Sequence, residues 1–313
     1  MATINDDLMP NNPNKSNFIA GIFDYQSFSR KAIRENIENG FFDRVASSVE
    51  FYADEIVAFF TCLRFEVYIF VRDEEKLKEI QKIFVDNKFG VLHGKGEITE
   101  HLVRLASGNS SEIRAETQIE KQVANAFESQ LDQVDQGAEL MELCRVALKQ
   151  AASFRKKNNF YNYENYATIA FRILGDLVKE DVKNLLIVGT GIMAKEFIRA
   201  CDVHKEKFDK IFIMGRDRQK AKKLKDDLSF TNVEAVTTQQ MDSVINKVDV
   251  VFAAAGGKYK IKKYLKPLLI IDITCPPIFT LDQCPKTKMI TMYDNIYEDK
   301  IKQVNEAFKD KLN

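Results

Sequence analysis

Tryptophan is absent from this chain of 313 residues, and proline is scarce, with six residues in all. No proline lies between Pro13 and Pro267, so nothing in that stretch forces a helix to end early. No apolar run approaches the roughly 18 to 20 residues that a membrane span needs, and residues 1–17 lack the basic and apolar regions of a signal peptide. We therefore predict a cytoplasmic protein without a membrane segment and with a disordered tail at residues 1–17.

Cysteine is also rare, and its pattern argues against two kinds of site. The five cysteines are odd in number and widely spaced, without a C-x-x-C pair: Cys62, Cys144, Cys201, Cys275 and Cys284. A disulfide framework and a zinc site are both disfavoured by this spacing, and a reducing compartment fits best. No metal site is predicted.

An excess of charge of either sign is lacking as well, because 46 Lys and Arg residues balance 46 Asp and Glu residues. The net charge of zero gives no argument for nucleic-acid binding. Local basic runs do occur, at residues 155–157, 216–225 and 258–266. Taken alone, each run is typical of a solvated helix face or loop.

The first 180 residues indicate an α+β unit with a helical extension. Apolar and β-rich runs predict strands at residues 18–23, 55–61 and 65–71, with helices at 27–39 (Ser27 as the N-cap) and 74–84. This β-α-β-β-α order is typical of a ferredoxin-like sandwich. Helical periodicity then predicts helices at residues 112–130, 139–156 and 163–178.

From residue 184 the pattern changes to strand, glycine turn and helix. It predicts strands at residues 185–188, 211–214, 248–254 and 268–273 and helices at 192–201, 218–228 and 297–312. This alternation predicts a parallel sheet covered on both faces, so the fold class is α/β with several domains. The predicted parts are the tail, an N-terminal domain at 18–157, a connecting helix at 158–182, a Rossmann-type domain at 183–296 and a short C-terminal helix at 297–313.

A glycine turn in the second half has the context of a dinucleotide site. It reads G-x-G-x-x-A directly after an apolar strand and opens a helix, with the residues Gly189, Thr190, Gly191, Ile192, Met193 and Ala194. The glycines allow a tight turn and close approach of a pyrophosphate to the helix N-terminus, and the other interpretation is a structural turn without a cofactor. Arg216 and Arg218 follow the next strand and would suit a 2′-phosphate, which favours NADPH over NADH, although Asp217 lies between them.

Thr61-Cys62-Leu63-Arg64 lies at a predicted turn between two strands. A cysteine in such an apolar hairpin is more often a small buried hydrophobe than a nucleophile, but a neighbouring arginine favours the thiolate. His101 opens the helical region and would handle protons at neutral pH, although alone it reads as a surface or capping histidine. A thiol nucleophile and a hydride donor in one chain suggest reduction of an activated acyl group. We therefore predict that the domain at 18–157 is the catalytic domain and that the Rossmann-type domain at 183–296 binds NADPH.

Six segments, in order along the chain, match a set of family motifs. Residues 60–68 match S-T-C-N-R-x-E-x-Y at its Thr, Cys, Arg, Glu and Tyr. Residues 101–111 correspond to H-L-F-x-V-A-S-G-L-D-S, 115–123 align with G-E-P-Q-I-x-x-Q-V, and 189–194 correspond to G-A-G-E-M-G. Residues 272–277 resemble D-I-A-V-P-R, and 292–297 resemble L-Y-D-I-D-D-L. In these segments the chain resembles the glutamyl-tRNA reductase family.

The resemblance implies NADPH-dependent reduction of glutamyl-tRNA to glutamate-1-semialdehyde, the first step of five-carbon tetrapyrrole biosynthesis. Cys62 would carry the acyl group as a thioester, and His101 would polarise the carbonyl or move protons. The positions implied to bind the glutamyl group are Thr61, Arg64, Ser107, Glu116 and Gln118, with Arg64 pairing with the γ-carboxylate. Implied partners are glutamyl-tRNA, whose backbone the basic runs would contact, and a downstream aminomutase.

The sequence departs from the family pattern at several positions. Leu63 replaces the asparagine beside the cysteine, Asp24 replaces a histidine, Ala115 replaces a glycine and Thr117 replaces a proline. The C-terminal dimerisation domain is expected to be reduced to little more than residues 298–313, which leaves the oligomeric state open between a monomer and a dimer formed through another surface.

Three functions remain open from the sequence. The first is a glutamyl-tRNA reductase. The second is a related NADPH-dependent reductase of another aminoacyl-tRNA or carrier thioester, for which Leu63 and Asp24 are the motive. The third is a non-catalytic paralogue, for which the short C-terminal region is the motive, while the retained Cys62, His101 and glycine turn argue against it.

Overall fold

The computed structural model describes residues 17–131, 138–178, 182–203, 208–226, 232–256, 269–280 and 287–312. Most of the predicted tail, the basic run at 258–266 and Cys284 lie outside these residues. No helix within the described ranges is long and apolar enough to cross a membrane.

Two compact units make up the chain. The first contains Met1–Ser29, Gly40–Ser110 and Thr117–Phe160, and the second contains Arg30–Asn39, Ser111–Glu116 and Tyr161–Asn313. Helix α1 (Arg30–Glu38) and the segment Ser111–Glu116 thus cluster with the second unit, although they lie inside the predicted catalytic domain. The domain boundaries derived from the sequence stay predictions.

The first unit has the β-α-β-β-α-β order of a ferredoxin-like sandwich. Its elements are β1 (Phe18–Asp24), α2 (Phe41–Glu50), β2 (Glu55–Thr61), β3 (Arg64–Phe70), α3 (Glu74–Asp86), β4 (Gly90–His93), α4 (Gly94–Ala106), α5 (Gln118–Leu131) and α6 (Glu139–Asn158). The sheet order is β2-β3-β1-β4, and all neighbours are antiparallel. The predicted α/β fold with an N-terminal ferredoxin-like part is confirmed.

The two faces of this sheet are buried by different side chains. Period-two alternation sends Phe59 of β2 and Tyr68 of β3 to one face, where they pack with residues of α4, α5 and α6, among them Leu102, Phe127 and Leu143. The opposite face is covered by phenylalanine rings, and the centroids of the stacked Phe42 and Phe65 rings lie 4.7 Å apart. A Cβ at Gly21 would lie 2.6 Å from the Phe84 ring, so this strand position requires glycine.

Several sequence predictions about this region were wrong in detail. The helix predicted to begin at Ser27 begins at Arg30, and the one predicted from residue 112 begins at Gln118. The backbone before Gln118 cannot be helical, because Gly108 and Ala115 have φ angles of 74° and 62°. Helix α2 and strand β4 were not predicted.

Arg155 was predicted to lie on a solvated basic face, and this was wrong. Its side chain is buried, and the guanidinium donates to the carbonyl oxygens of Ala106 at 3.1 Å and Phe160 at 3.2 Å. Ala106 ends α4, so a buried cation satisfies a carbonyl that the helix itself leaves without a partner.

The second unit contains a six-stranded parallel sheet. Besides α1, its elements are α7 (Tyr166–Leu177), β5 (Asn184–Val188), α8 (Ile192–Val203), β6 (Lys210–Gly215), α9 (Arg218–Asp226), β7 (Val233–Thr237), α10 (Met241–Ile245), β8 (Val250–Ala253), β9 (Leu269–Asp272), β10 (Lys288–Thr291) and α11 (Asn295–Leu312). The order β10-β9-β8-β5-β6-β7 is the doubly wound order of a Rossmann sheet, which confirms that prediction. Strands β7 and β10 were not predicted.

Helix α6 receives its N-terminal cap from a distant strand. Its N-cap residue, Ala138, has no side chain that can accept a hydrogen bond, and the Glu55 carboxylate of β2 accepts instead from the backbone N–H groups of Glu139 and Leu140, both at 2.9 Å. A carboxylate at this position also interacts favourably with the helix dipole.

We therefore expect Glu55→Ala to lower the free energy of unfolding by about 1–2 kcal/mol, as the loss of a charged N-cap does. Urea denaturation would measure the change. The exposed Glu50→Ala is the matched control, and an equal loss in both variants would contradict the capping role.

Candidate functional site

Cys62 and Leu63 form the two-residue turn that joins β2 to β3; it lies within the predicted turn, but Arg64 already belongs to β3. Thr61 pairs with Arg64 across the turn, and the Leu63 carbonyl accepts from the backbone N–H of Tyr25 at 3.1 Å. Leu63 is buried, whereas Cys62 is half-buried. The turn is thus held against the end of β1 and presents the thiol at its tip.

Arg64 is buried beside this turn, with 3% of its surface exposed. Its Nη1 donates to Glu66 at 2.5 Å, its Nη2 donates to the Ser110 carbonyl at 2.7 Å, and Asp24 Oδ2 lies 3.5 Å from Nη2. Burial lowers the pKa of Arg64, but the charges of Glu66 and Asp24 outweigh burial, and the pKa is raised. The guanidinium therefore already has ionic partners inside the protein.

Glu66 links Arg64 to His101. Its side chain is fully buried, it accepts from the Tyr68 hydroxyl, and its Oε2 lies 3.1 Å from His101 Nε2. Burial would raise the pKa of Glu66, yet the charge of Arg64 and the interaction with His101 outweigh burial and lower the pKa from 4.5 to about 2. A carboxylate that stays ionised favours the proton of His101 on Nε2, which leaves Nδ1 as the acceptor nitrogen.

The remaining predicted substrate positions are distributed over both units. Ser107 is buried at the end of α4, where its hydroxyl donates to the Arg104 carbonyl at 3.1 Å, and Gln118 begins α5. Glu116 belongs to the segment Ser111–Glu116 of the second unit. The structure thus brings Thr61, Cys62 and Arg64 to one end of the sheet and connects His101 to them through Glu66. The binding roles of these residues stay predictions.

The segment that carries Glu116 is held by an asparagine of α11. Asn305 Oδ1 accepts from the Arg114 backbone N–H at 2.9 Å, and its Nδ2 donates to the Glu112 carbonyl at 2.8 Å. Both contacts lie within the second unit. Sequence reasoning gave Asn305 no role, and nothing in its local pattern marks it.

Sequence reasoning gave no site role to Glu66 or Tyr68, and it singled out Asp24 only as a departure from the family motif that favours another substrate. A signal for two of them was available, because Arg64, Glu66 and Tyr68 alternate along β3 and must face the same side of the sheet. The pairing of Asp24 with Arg64 could be found only through the register of β1 against β3, in which the two residues stand opposite each other.

The glycine turn of the second unit has the geometry that a dinucleotide requires. Gly189 has a φ of 129°, and a Cβ there would lie 2.4 Å from the Ala254 carbonyl oxygen, so only glycine fits. Among the described residues, no heavy atom other than those of its chain neighbours and its own helix backbone lies within 4 Å of a Cβ built at Gly191, which leaves room for a phosphate group to approach. The glycine turn also contains Thr190. The first turn of α8 contains Ile192, which is 61% exposed, Met193 and the buried Ala194.

Arg216 and Arg218 are exposed after β6, at the same end of the sheet as the glycine turn. Asp217 between them caps α9, because its carboxylate accepts from the backbone N–H groups of Gln219 at 2.8 Å and Lys220 at 3.3 Å. Beside it, an open groove of about 480 Å³ is lined by Arg218, Gln219, Lys222, Lys225, Glu234, Ala235 and Gln240. The residues at this strand end present positive charge, which suits an anionic ligand.

Two of the other described cysteines, Cys144 and Cys201, are more deeply buried than Cys62. Burial raises the pKa of Cys144 to about 12 and also raises that of Cys201, so both thiols stay protonated at neutral pH. Cys275 is half-buried and accepts a hydrogen bond from the Tyr293 hydroxyl at 3.2 Å.

Two family models match the chain. The one described as "Glutamyl-tRNAGlu reductase, N-terminal domain" matches residues 24–158, and "Shikimate / quinate 5-dehydrogenase" matches residues 169–295. The first range contains Asp24, Cys62, Arg64, Glu66 and His101, and the second contains the glycine turn.

Curated relatives and a solved structure are similar over most of the chain. Protein nfe2 of Rhizobium meliloti is 26% identical over 80% of this chain and 82% of its own length. The glutamyl-tRNA reductase of Methanocaldococcus jannaschii is 30% identical over 77% of this chain and 62% of its own length, and that of Campylobacter lari is 27% identical over 64% and 48%. The glutamyl-tRNA reductase structure from Methanopyrus kandleri is 20% identical, with a TM-score of 0.46, over 95% of this chain and 78% of its own. The chain thus spans less than two thirds of the length of both curated reductases.

The lowered pKa of Glu66 predicts a specific pH dependence of stability. Because the folded pKa is about 2 and the ordinary value is 4.5, this carboxylate stabilises the fold above pH 4.5, and its contribution is lost as the pH falls from 4.5 towards 2. A pKa shift of this size corresponds to a contribution on the order of 3 kcal/mol to the free energy of unfolding.

We expect Glu66→Gln to be less stable than the wild type at pH 7, and the difference to narrow below pH 4.5. Urea unfolding midpoints between pH 7 and pH 2.5 would measure it. The exposed Glu79→Gln is the control and should show no such narrowing. A difference independent of pH would contradict the ionised state of Glu66.

Proposed function

Because the chain belongs to the glutamyl-tRNA reductase family, as its motifs indicated, we propose that it is an oxidoreductase that accepts an aminoacyl group from a charged tRNA on Cys62 and reduces it with NADPH. The observation that carries this proposal is the half-buried thiol of Cys62 at the tip of a hairpin whose next residues form the chain of contacts from Arg64 through Glu66 to His101. The relatives' name gives glutamyl-tRNA as the donor, glutamate-1-semialdehyde would be the product, and an aminomutase would consume it.

The chemistry divides into two steps at Cys62. The thiolate attacks the carbonyl carbon of the ester, the bond from that carbon to the ribose oxygen breaks, and the tRNA leaves as its free hydroxyl, which takes up a proton. When bound, NADPH supplies a hydride to the carbonyl carbon of the thioester. The carbon–sulfur bond then breaks, and Cys62 leaves as the thiolate while the acyl group becomes an aldehyde.

His101 is the group proposed to move protons in these steps. Glu66 accepts from Nε2 at 3.1 Å and fixes the orientation of the imidazole, so that Nδ1 is the nitrogen able to exchange a proton. Glu66 is a positioning residue in this scheme, and Tyr68 in turn donates to it.

The glycine turn is proposed to hold the pyrophosphate of NADPH. The close approach of Gly189 to Ala254 and the open space at Gly191 support this fit, and the N-terminus of α8 would attract the negative charge. Arg216 and Arg218 would hold a 2′-phosphate. The Asp217 carboxylate caps α9 through Oδ1, and the exposed arginines on either side of it support the preference for NADPH over NADH.

A second candidate is reduction of an aminoacyl group other than glutamyl. The observation that favours it is the carboxylate of Asp24 beside Arg64, at 3.5 Å, where the resemblance would place the carboxylate of the substrate. The thioester chemistry at Cys62 is the same in both candidates.

The first experiment is NADPH oxidation by the purified protein with glutamyl-tRNA, other charged tRNAs and uncharged tRNA. We expect oxidation with a charged tRNA and a loss of at least about a thousandfold in Cys62→Ser, since a serine hydroxyl is not a comparable nucleophile at neutral pH. Cys275→Ser, which changes another half-buried thiol, is the control. Unchanged activity in Cys62→Ser would contradict the thioester mechanism.

The cofactor preference is tested by replacing Arg216 and Arg218 together with alanine. We expect the dissociation constant for NADPH to rise at least about tenfold, because charge-assisted contacts to the 2′-phosphate are lost, and that for NADH to stay unchanged. Cofactor fluorescence titration would measure both constants. Lys220→Ala on the same helix is the control, and an equal rise for both cofactors would contradict recognition of the 2′-phosphate.

A further inference from the structure

The buried cluster at the Cys62 end of the first sheet holds two carboxylates around one guanidinium. Arg64 Nη1 donates a hydrogen bond to Glu66 at 2.5 Å, and its Nη2 donates to the Ser110 carbonyl at 2.7 Å. Asp24 Oδ2 lies 3.5 Å from Nη2. Asp24 is 5% exposed. The cation that the resemblance assigns to a substrate carboxylate therefore already has its negative partners within the protein.

The position of Asp24 is fixed by the sheet and by the following turn. In the register of β1 against β3, Asp24 stands directly opposite Arg64, and in that of β2 against β3, Thr61 stands opposite Arg64 on the other side. Asp24 Oδ1 accepts from the Gln26 backbone N–H at 3.1 Å. The carboxylate cannot rotate away from Arg64 without losing its hydrogen bond to the Gln26 backbone, and it lies at the same end of the sheet as Cys62.

The charge balance at this end disfavours a third carboxylate. Facing the guanidinium are Asp24 and Glu66, with the hydroxyls of Tyr25 and Tyr68 and the imidazole of His101 nearby. Even if His101 carries a positive charge, the two positive charges of Arg64 and His101 only balance the two negative charges of Asp24 and Glu66. A substrate carboxylate would add a buried negative charge to this group of described side chains, whose charges already balance at best, and this is costly. A side chain that donates hydrogen bonds would instead find an acceptor in Asp24 Oδ2.

We propose that Asp24 makes this site selective for an aminoacyl group whose side chain is an uncharged hydrogen-bond donor, of the size of the glutamine amide, over the glutamyl group. The inference rests on the proposed thioester function of Cys62 and specifies its substrate class. Asp24 acts in it as a specificity-determining residue and takes no part in the bond changes.

The test uses two acyl donors that differ in one group, the α-thiobenzyl esters of glutamate and glutamine. Intact-protein mass spectrometry of the full chain would follow the acylation rate of Cys62 with each ester. We expect the wild type to prefer the glutaminyl ester by at least about tenfold, since an unpaired buried charge costs more than the roughly 1.4 kcal/mol that this ratio represents. In Asp24→Asn the preference should fall at least about tenfold, because the competing negative charge is removed.

Two further variants keep the test decisive. Asp24→His restores the residue of the family motif and should also shift the ratio towards the glutamyl ester, while Asp86→Asn removes an exposed carboxylate of the same unit and should leave the ratio unchanged. Acylation of Cys62 with an equal or greater rate for the glutamyl ester would overturn the selectivity and leave the thioester function standing. Absence of acylation by either ester would overturn the thioester function, and the selectivity with it.

Discussion

A buried positive charge next to a hairpin turn constrains the whole first unit. The Arg64 guanidinium cannot be buried without partners, and the fold supplies them from three places in the chain: Glu66 on the same strand, Asp24 on the neighbouring strand and the Ser110 carbonyl after α4. These contacts require the observed strand register and the observed path of the chain beyond α4. Because Glu66 also contacts His101 and Tyr68, the same charge orients the imidazole proposed to act in catalysis.

The second unit is constrained by close backbone approach. At Gly189 the turn after β5 passes so close to Ala254, after β8, that no side chain fits, and this brings two strand ends of the parallel sheet together. Asp217 shows how one residue can be read in two ways. In the sequence, Asp217 weakens the prediction of NADPH that Arg216 and Arg218 support, because an acidic residue here is typical of an NADH site. In the structure, its carboxylate caps α9.

The proposed reaction and its substrate depend on different residues. In the proposed reaction, the thioester and hydride chemistry would be carried by Cys62, His101 and the glycine turn, which follow the family motifs. The acyl side chain would be recognised by the groups around Arg64, where Asp24 and Leu63 depart from those motifs. The Asp24 carboxylate and a substrate carboxylate would compete for the one buried cation, Arg64. A single substitution at Asp24 can therefore change the preferred substrate while the chemistry at Cys62 is retained.

The sequence by itself determined the elements whose signals are local. Apolar runs, glycine spacing and alternation along a strand give four of the six parallel strands, the turn at Gly189, the hairpin at Cys62 and the common face of Arg64 and Glu66. Only the tertiary structure decided that Asp24 faces Arg64, that Glu55 caps α6, that Arg155 is buried and that Asn305 holds the segment before Glu116. Each of these contacts joins residues far apart in the chain, and its existence depends on strand register and helix packing, which no local pattern contains.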